Sequence, residues 1–233
     1  MSLMRIVLVL TILGIWSCSS DNNNKANKKI TKNAQESSQK VEQTDSVAKD
    51  APKTIVFFGN SLTAAYQLDP SDGFAGLTQK RLDSLSYNYR VVNAGLSGET
   101  SAGGLERVDW ILEQKVDIFI LELGANDALR GLNLDKTYEN LSGILRKVKT
   151  AHPDATLVIA GMLSPPNMGS DFAEKFAAIY PRLAKEYEAA LIPFLLDKVG
   201  GVPALNLADG IHPNKAGHRI VAETVWNTLQ TLL

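Results

Sequence analysis

The chain has 233 residues, 45% of them hydrophobic, and a formal net charge of -1. That much apolar material suffices for one sizeable core, and the balanced charge excludes the basic footprint of a nucleic-acid-binding protein. The single cysteine, Cys18, excludes an intramolecular disulfide and a cysteine-based zinc site.

At the N-terminus, Arg5 precedes an apolar run from Ile6 to Trp16. The run is too short to span a bilayer as a mature helix but has the length of a secretory signal core, so export is expected. It ends in Ile15-Trp16-Ser17-Cys18, which resembles the lipobox of bacterial lipoproteins. The resemblance implies cleavage before Cys18 and lipid on that cysteine, hence a periplasmic or cell-envelope protein anchored to a membrane. The plainer alternative is an ordinary cleaved signal with an incidental cysteine. From Ser19 to Pro52 the composition turns to Asn, Lys, Ser, Gln, Asp and Glu, with scarcely an aliphatic residue. Such a segment buries too little apolar area to offset its ordering entropy and reads as a disordered tether. The expected organisation is therefore a signal over 1–17, a tether over 18–52 and one folded domain over 53–233.

Within that domain, apolar runs of strand length alternate with segments of helical period, the pattern of βα units around a parallel sheet. Thr54 to Phe58 is the first run, β-favouring and nearly free of polar alternation, as in a strand covered on both faces. Phe74, Leu77, Leu82 and Leu85 mark a helix face, and a second strand follows from Tyr89 to Ala94. A glycine-rich turn, Gly95 to Thr100, leads into a helix carrying Leu105, Val108, Ile111 and Leu112. A third strand, Val116 to Leu123, ends at Gly124-Ala125-Asn126-Asp127. Tyr138, Leu141, Leu145 and Val148 define the next helix, and a fourth strand runs from Ala155 to Met162. Phe172, Phe176, Ile179 and Leu183 mark another helix, with a short fifth strand near Ala189 to Phe194. The final helix starts at Asn214 and carries Ile220, Val221, Val225 and Leu229 inward. The expected fold is α/β, a five-stranded parallel sheet of flavodoxin-like type with helices on both faces and right-handed crossovers.

Polar residues gather where strands end. Gly59 permits a sharp turn after the first strand and leaves Ser61 at its carboxyl end, where ligands bind in open α/β sheets. Ser61 could equally cap the next helix. Ahead of the last helix stands Ala208-Asp209-Gly210-Ile211-His212-Pro213-Asn214. Asp209 and His212 are close enough there for the carboxylate to orient the imidazole, although Asp-Gly followed by Pro-Asn also reads as a turn and helix start.

Taken together, Gly59-Asn60-Ser61-Leu62, Gly98, Gly124-Ala125-Asn126-Asp127 and Asp209-Gly210-Ile211-His212-Pro213 resemble, in order, the four blocks of the SGNH or GDSL hydrolase family. Asn93 to Thr100 and Ile179 to Lys185 are similar to its arylesterase, acyl-CoA thioesterase and lysophospholipase branch. The resemblance implies an esterase in which Ser61 is the nucleophile, His212 its base and Asp209 the partner that holds the imidazole. It implies an oxyanion hole made by the Ser61 and Gly98 backbone N–H groups and the Asn126 amide. The expected substrate is a small-molecule ester or thioester, lysophospholipids among them. No metal or organic cofactor is required, and no nucleic acid is expected as a partner. The family usually has aspartate where this chain has Asn60, a change expected to alter the charge of the loop and not the mechanism. His152 and His218 read as solvated or helix-flanking residues. Two other readings of the same fold are a glycan O-acetyl esterase and a non-catalytic ligand-binding lipoprotein.

Overall fold

A computed structural model describes residues 51–233. The expected signal, tether and Cys18 lie outside the described residues, apart from the last two positions of the tether.

Five strands form one parallel sheet: β1 (Lys53–Gly59), β2 (Tyr89–Gly95), β3 (Ile118–Glu122), β4 (Thr156–Ala160) and β5 (Ala190–Ile192), in the spatial order β2-β1-β3-β4-β5. β1 is flanked on both edges, Gly59 standing opposite Gly95 on one side and Glu122 on the other. This explains why its sequence is an unbroken apolar run: all but its first residue are buried.

The helices are α1 (Phe74–Ser84), α2 (Ser101–Ile111), α3 (Ala125–Leu129), α4 (Leu134–Ala151), α5 (Ser170–Glu186) and α6 (Lys215–Leu229). Alternation along β1 divides the core between the two faces. Phe57 meets Phe74 of α1 edge to face, with α6 packed beside α1. Phe58 turns the other way, against Phe119 and beneath the Arg107 guanidinium of α2, and α4 and α5 complete that layer. Truncating a fully buried Phe to Ala at such a position costs about 3 to 5 kcal/mol, so β1 tolerates little change.

The expected sheet and its chain order are all present; the differences are local. The strands β3, β4 and β5 are shorter than their apolar runs, because those runs continue past the last ladder pair into the loops. Leu85 is not on the inner face of α1: it caps the helix and is 53% exposed. The stretch after β3, expected as a loop, forms the short helix α3, entered through Gly124 in the left-handed region (φ 108). His218 is neither solvated nor helix-flanking. It lies inside α6, 1% exposed, stacked on Phe74 and accepting the Phe74 N–H through Nδ1. Burial, and secondarily the nearby His212, depress its pKa to about 4, so it stays neutral.

Candidate active site

The carboxyl end of β1 is held in a tight turn. At Gly59 an added Cβ would stand 2.2 Å from Thr63 Oγ1 and 2.5 Å from Glu122 Oε2, so a glycine is obligatory. Behind the turn, Glu122 at the end of β3 is 1% exposed and accepts four hydrogen bonds from it. Oε2 takes those of Asn60 N at 3.1 Å, Thr63 N at 3.3 Å and Thr63 Oγ1 at 2.8 Å, and Oε1 takes that of Asn60 Nδ2 at 2.7 Å. Burial pushes the Glu122 carboxyl up to about 7, against the pull of these donors.

Ser61, at 9% exposure, therefore stands on a rigid base. Its Oγ lies 2.9 Å from His212 Nε2 and 3.3 Å from Asn60 Oδ1. On the other side of the imidazole, His212 Nδ1 lies 2.7 Å from Asp209 Oδ2. Asp209 Oδ1 accepts the backbone N–H groups of Ile211 at 2.8 Å and His212 at 3.0 Å. The His212 amide leads these donors in holding the Asp209 carboxyl down at about 2, so it is ionised at all but strongly acid pH. The turn expected around Asp-Gly is also present, Gly210 donating to the Leu207 carbonyl, and Asn214 caps α6 through its side chain. Turn and acid–imidazole pair are the same structure.

The next loop is fastened by charge. Arg107 pairs with Glu99 through two bonds of 2.7 and 2.6 Å, and Arg130 donates to the Gly98 carbonyl at 2.9 Å. Gly98 is in the left-handed region (φ 82), which favours glycine. Asn126 donates through Nδ2 to the Glu99 carbonyl at 2.9 Å, leaving its second amide hydrogen free of that bond. Beneath it, the buried Asp127 binds Ser101 and Thr137 and so ties α3 to α2 and α4. Among the described residues, the Ser61 and Gly98 backbone N–H groups have no hydrogen-bond acceptor.

Ser61, Asn126 and His212 share the wall of a cleft of about 750 Å³. Of the apolar residues in the loops after β3 and β4, Leu129, Met162, Leu163 and Pro166 line it, whereas Leu132 and Met168 do not. Phe194, Leu196 and Ile211 line it as well, supplied by the loops after β5 and before α6. Ile211 lies within the Asp209–His212 block, whereas nothing local in the sequence marks Phe194 or Leu196 for the site, because only the fold decides which loops converge.

Two further neighbours of the triad were not foreseen. A lone acidic residue in the apolar run of β3 was the available signal for Glu122. Tyr66 carried none. Its ring centroid lies 4.5 Å from that of His212, its N–H donates to the Ser61 carbonyl, and it is flanked by Ala65 and Gln67, both at positive φ (57 and 60). Strain of that kind in non-glycine residues persists where the surrounding structure imposes it.

The sequence profile of the GDSL-like Lipase/Acylhydrolase family matches residues 57–220. The chain is 42% identical over 184 residues to esterase TesA of Pseudomonas aeruginosa, covering 78% of this chain and 90% of that protein. It is 37% identical over 184 residues to thioesterase 1/protease 1/lysophospholipase L1 of Escherichia coli, covering 78% and 86%. A crystal structure of TesA superposes with a TM-score of 0.74 at 42% identity, covering 78% of this chain and 100% of that one.

Proposed function

The chain belongs to the GDSL-like lipase/acylhydrolase family, the SGNH hydrolases, and is a serine hydrolase acting on ester bonds of small molecules; from that premise we propose that Ser61, His212 and Asp209 perform the reaction. The observation that carries this assignment is the unbroken contact Asp209–His212–Ser61, at 2.7 and 2.9 Å. Ser61 Oγ attacks the acyl carbonyl carbon while His212 Nε2 takes its proton. Asp209 holds Nδ1–H, which keeps Nε2 as the acceptor and stabilises the imidazolium as it forms. The negative charge that develops on the carbonyl oxygen is met by the free Ser61 and Gly98 N–H groups and by the second hydrogen of Asn126. Losing one such donor costs on the order of 100-fold in rate or more. Collapse breaks the bond to the alcohol or thiol, which leaves with the proton from His212. Water then repeats the sequence on the acyl-enzyme, and the carboxylic acid departs.

Within the esters we favour thioesters, aryl esters and lysophospholipids over a glycan acetate, because the cleft is walled by Leu129, Met162, Leu163, Phe194, Leu196 and Ile211, far more apolar surface than an acetyl group would use. We also infer that the protein is exported and tethered through lipidated Cys18, with 18–52 as tether and 53–233 as catalytic domain; this rests on the N-terminal sequence. A fluorophosphonate probe should label the purified wild-type domain at Ser61 and leave Ser61→Ala unlabelled. A wild-type domain that resists the probe and hydrolyses no ester would instead support the ligand-binding reading.

A further inference from the structure

The proposed triad leaves the most buried carboxyl at this end of the sheet unused. Glu122 has no part in the proton transfers, yet it makes four hydrogen bonds to the turn that carries Ser61, and every group that reaches it is a neutral donor. Once ionised, above about pH 7, Glu122 is the side chain such a site requires, since it then accepts at both oxygens and donates at neither.

Asn60 links that carboxylate to the nucleophile. Its Nδ2 donates to Glu122 Oε1, while its Oδ1 accepts the Leu62 N–H at 3.0 Å and lies 3.3 Å from Ser61 Oγ. The amide thus faces an acceptor on one side and donors on the other, and only one orientation satisfies both. An aspartate at this position would need to keep a proton in order to donate to Glu122, or else set two negative charges against each other in a buried site. With Asn60 the pair carries at most a single charge.

We propose that Glu122 is the positioning residue of the nucleophile and that Asn60 is the adaptor through which it sets the place of Ser61 Oγ. The inference rests on Ser61 being the nucleophile. It goes further by assigning the orientation of that hydroxyl to an acidic residue on the neighbouring strand. Ser61 Oγ has one proton and two acceptors, His212 Nε2 at 2.9 Å and Asn60 Oδ1 at 3.3 Å. The Glu122–Asn60 bond fixes which way the Asn60 side chain turns, so that an acceptor oxygen and not an NH2 stands 3.3 Å from Ser61 Oγ.

The test exchanges the two functional groups. In Glu122→Gln, the glutamine oxygen can replace Oε2 and serve the three donors there, but its NH2 then faces the NH2 of Asn60. Turning Asn60 over to relieve this deprives Leu62 N of its acceptor. In the double variant Asn60→Asp, Glu122→Gln, the glutamine NH2 donates to the carboxylate introduced at position 60, in the reverse sense, so every donor is again paired and the total charge is unchanged. Above pH 7, where Glu122 is ionised, we expect Glu122→Gln to lower kcat and the rate of fluorophosphonate labelling about tenfold or more, with KM within about threefold. The double variant should recover at least about threefold of that loss. Wild-type kcat and labelling in Glu122→Gln would overturn the proposal, as would a folded double variant no better than the single one. If Glu122→Gln does not fold, the double variant decides: folded and reactive supports the proposal, while unfolded or unreactive overturns it. Ser61→Ala, measured alongside, separates the two claims, because activity in that variant would remove the serine mechanism and leave the strand contact intact.

Discussion

His212 Nε2 stands 2.9 Å from Ser61 Oγ although 151 positions separate the two residues in the chain. Their common support is the sheet and the helix layer on it: one follows β1 and the other precedes α6, which packs on α1 beneath β1. Ser61→Ala should therefore abolish ester hydrolysis, by about 10⁴-fold or more, while the domain stays folded. The hydroxyl's bonds, to His212 and Asn60, contribute about 1 kcal/mol each at most. Hydrolysis of a p-nitrophenyl ester and a thermal melt check this together, and wild-type turnover in the variant would refute the serine mechanism.

Asp209→Asn keeps an acceptor for the Ile211 and His212 amides, yet it can present an NH2 to His212 Nδ1 and so favour the wrong tautomer. We expect kcat to fall by about 10² to 10⁴. Because the Asp209 carboxyl is held down at about 2, the stability it contributes is present above its ordinary range and lost as pH falls through about 2. The variant should lose that dependence on acid. An unchanged kcat would mean that another group serves as the acid of the triad.

Two buried groups set opposite dependences of stability on pH. Glu122, raised from 4.5 to about 7, holds its proton in the folded state when the unfolded chain has lost it, so stability falls as pH rises from 4.5 to 7. His218, lowered from 6.5 to about 4, stays neutral in the folded state when the unfolded chain is protonated, so stability rises with pH from 4 to 6.5. Each shift corresponds to roughly 3 kcal/mol, and between about pH 4.5 and 6.5 they oppose each other. In that window the wild-type denaturant midpoint should be nearly level. His218→Gln should leave Glu122 uncompensated, so that its midpoint declines from pH 4.5 to 7; a level midpoint in this variant would count against the Glu122 assignment.

The cleft makes a prediction about acyl length. Each methylene buried against its wall in the transition state contributes up to about 0.8 kcal/mol, or roughly fourfold in kcat/KM. Activity on p-nitrophenyl esters should climb from acetyl through medium chains before it levels off. A profile highest at acetyl and falling steadily would favour the glycan deacetylase.

Cys18→Ala in the full-length protein should move it from the membrane fraction to a soluble exported fraction. Among the described residues no helix is long and apolar enough to cross a membrane. Wild-type protein found only in the soluble fraction would refute the anchor.

Much of this was legible in the chain. Strand order aside, the βα alternation follows from local periodicity, because apolar runs and 3.6-residue faces are encoded over a few neighbouring positions. The four loops with Ser61, Gly98, Asn126, Asp209 and His212 stood out only as a set, through their resemblance to the four blocks of the SGNH family; taken singly, Ser61 reads as a helix cap as readily as a nucleophile, and Asp209 with His212 as a turn. Tertiary structure decided the rest. Glu122 reads as the end of an apolar strand until the pairing of β1 with β3 sets it against Gly59. His218 reads as a surface histidine until α6 packs on α1. Leu132 and Met168 look as suited to the cleft as Leu129 and Met162, and only the convergence of loops from β3, β4, β5 and α6 separates them and adds Phe194, Leu196 and Ile211. The physical reason is range: backbone dihedrals and amphipathic faces depend on neighbours in sequence, whereas burial of a charge, the tautomer of an imidazole and the wall of a cleft depend on which distant segments the order of strands brings together.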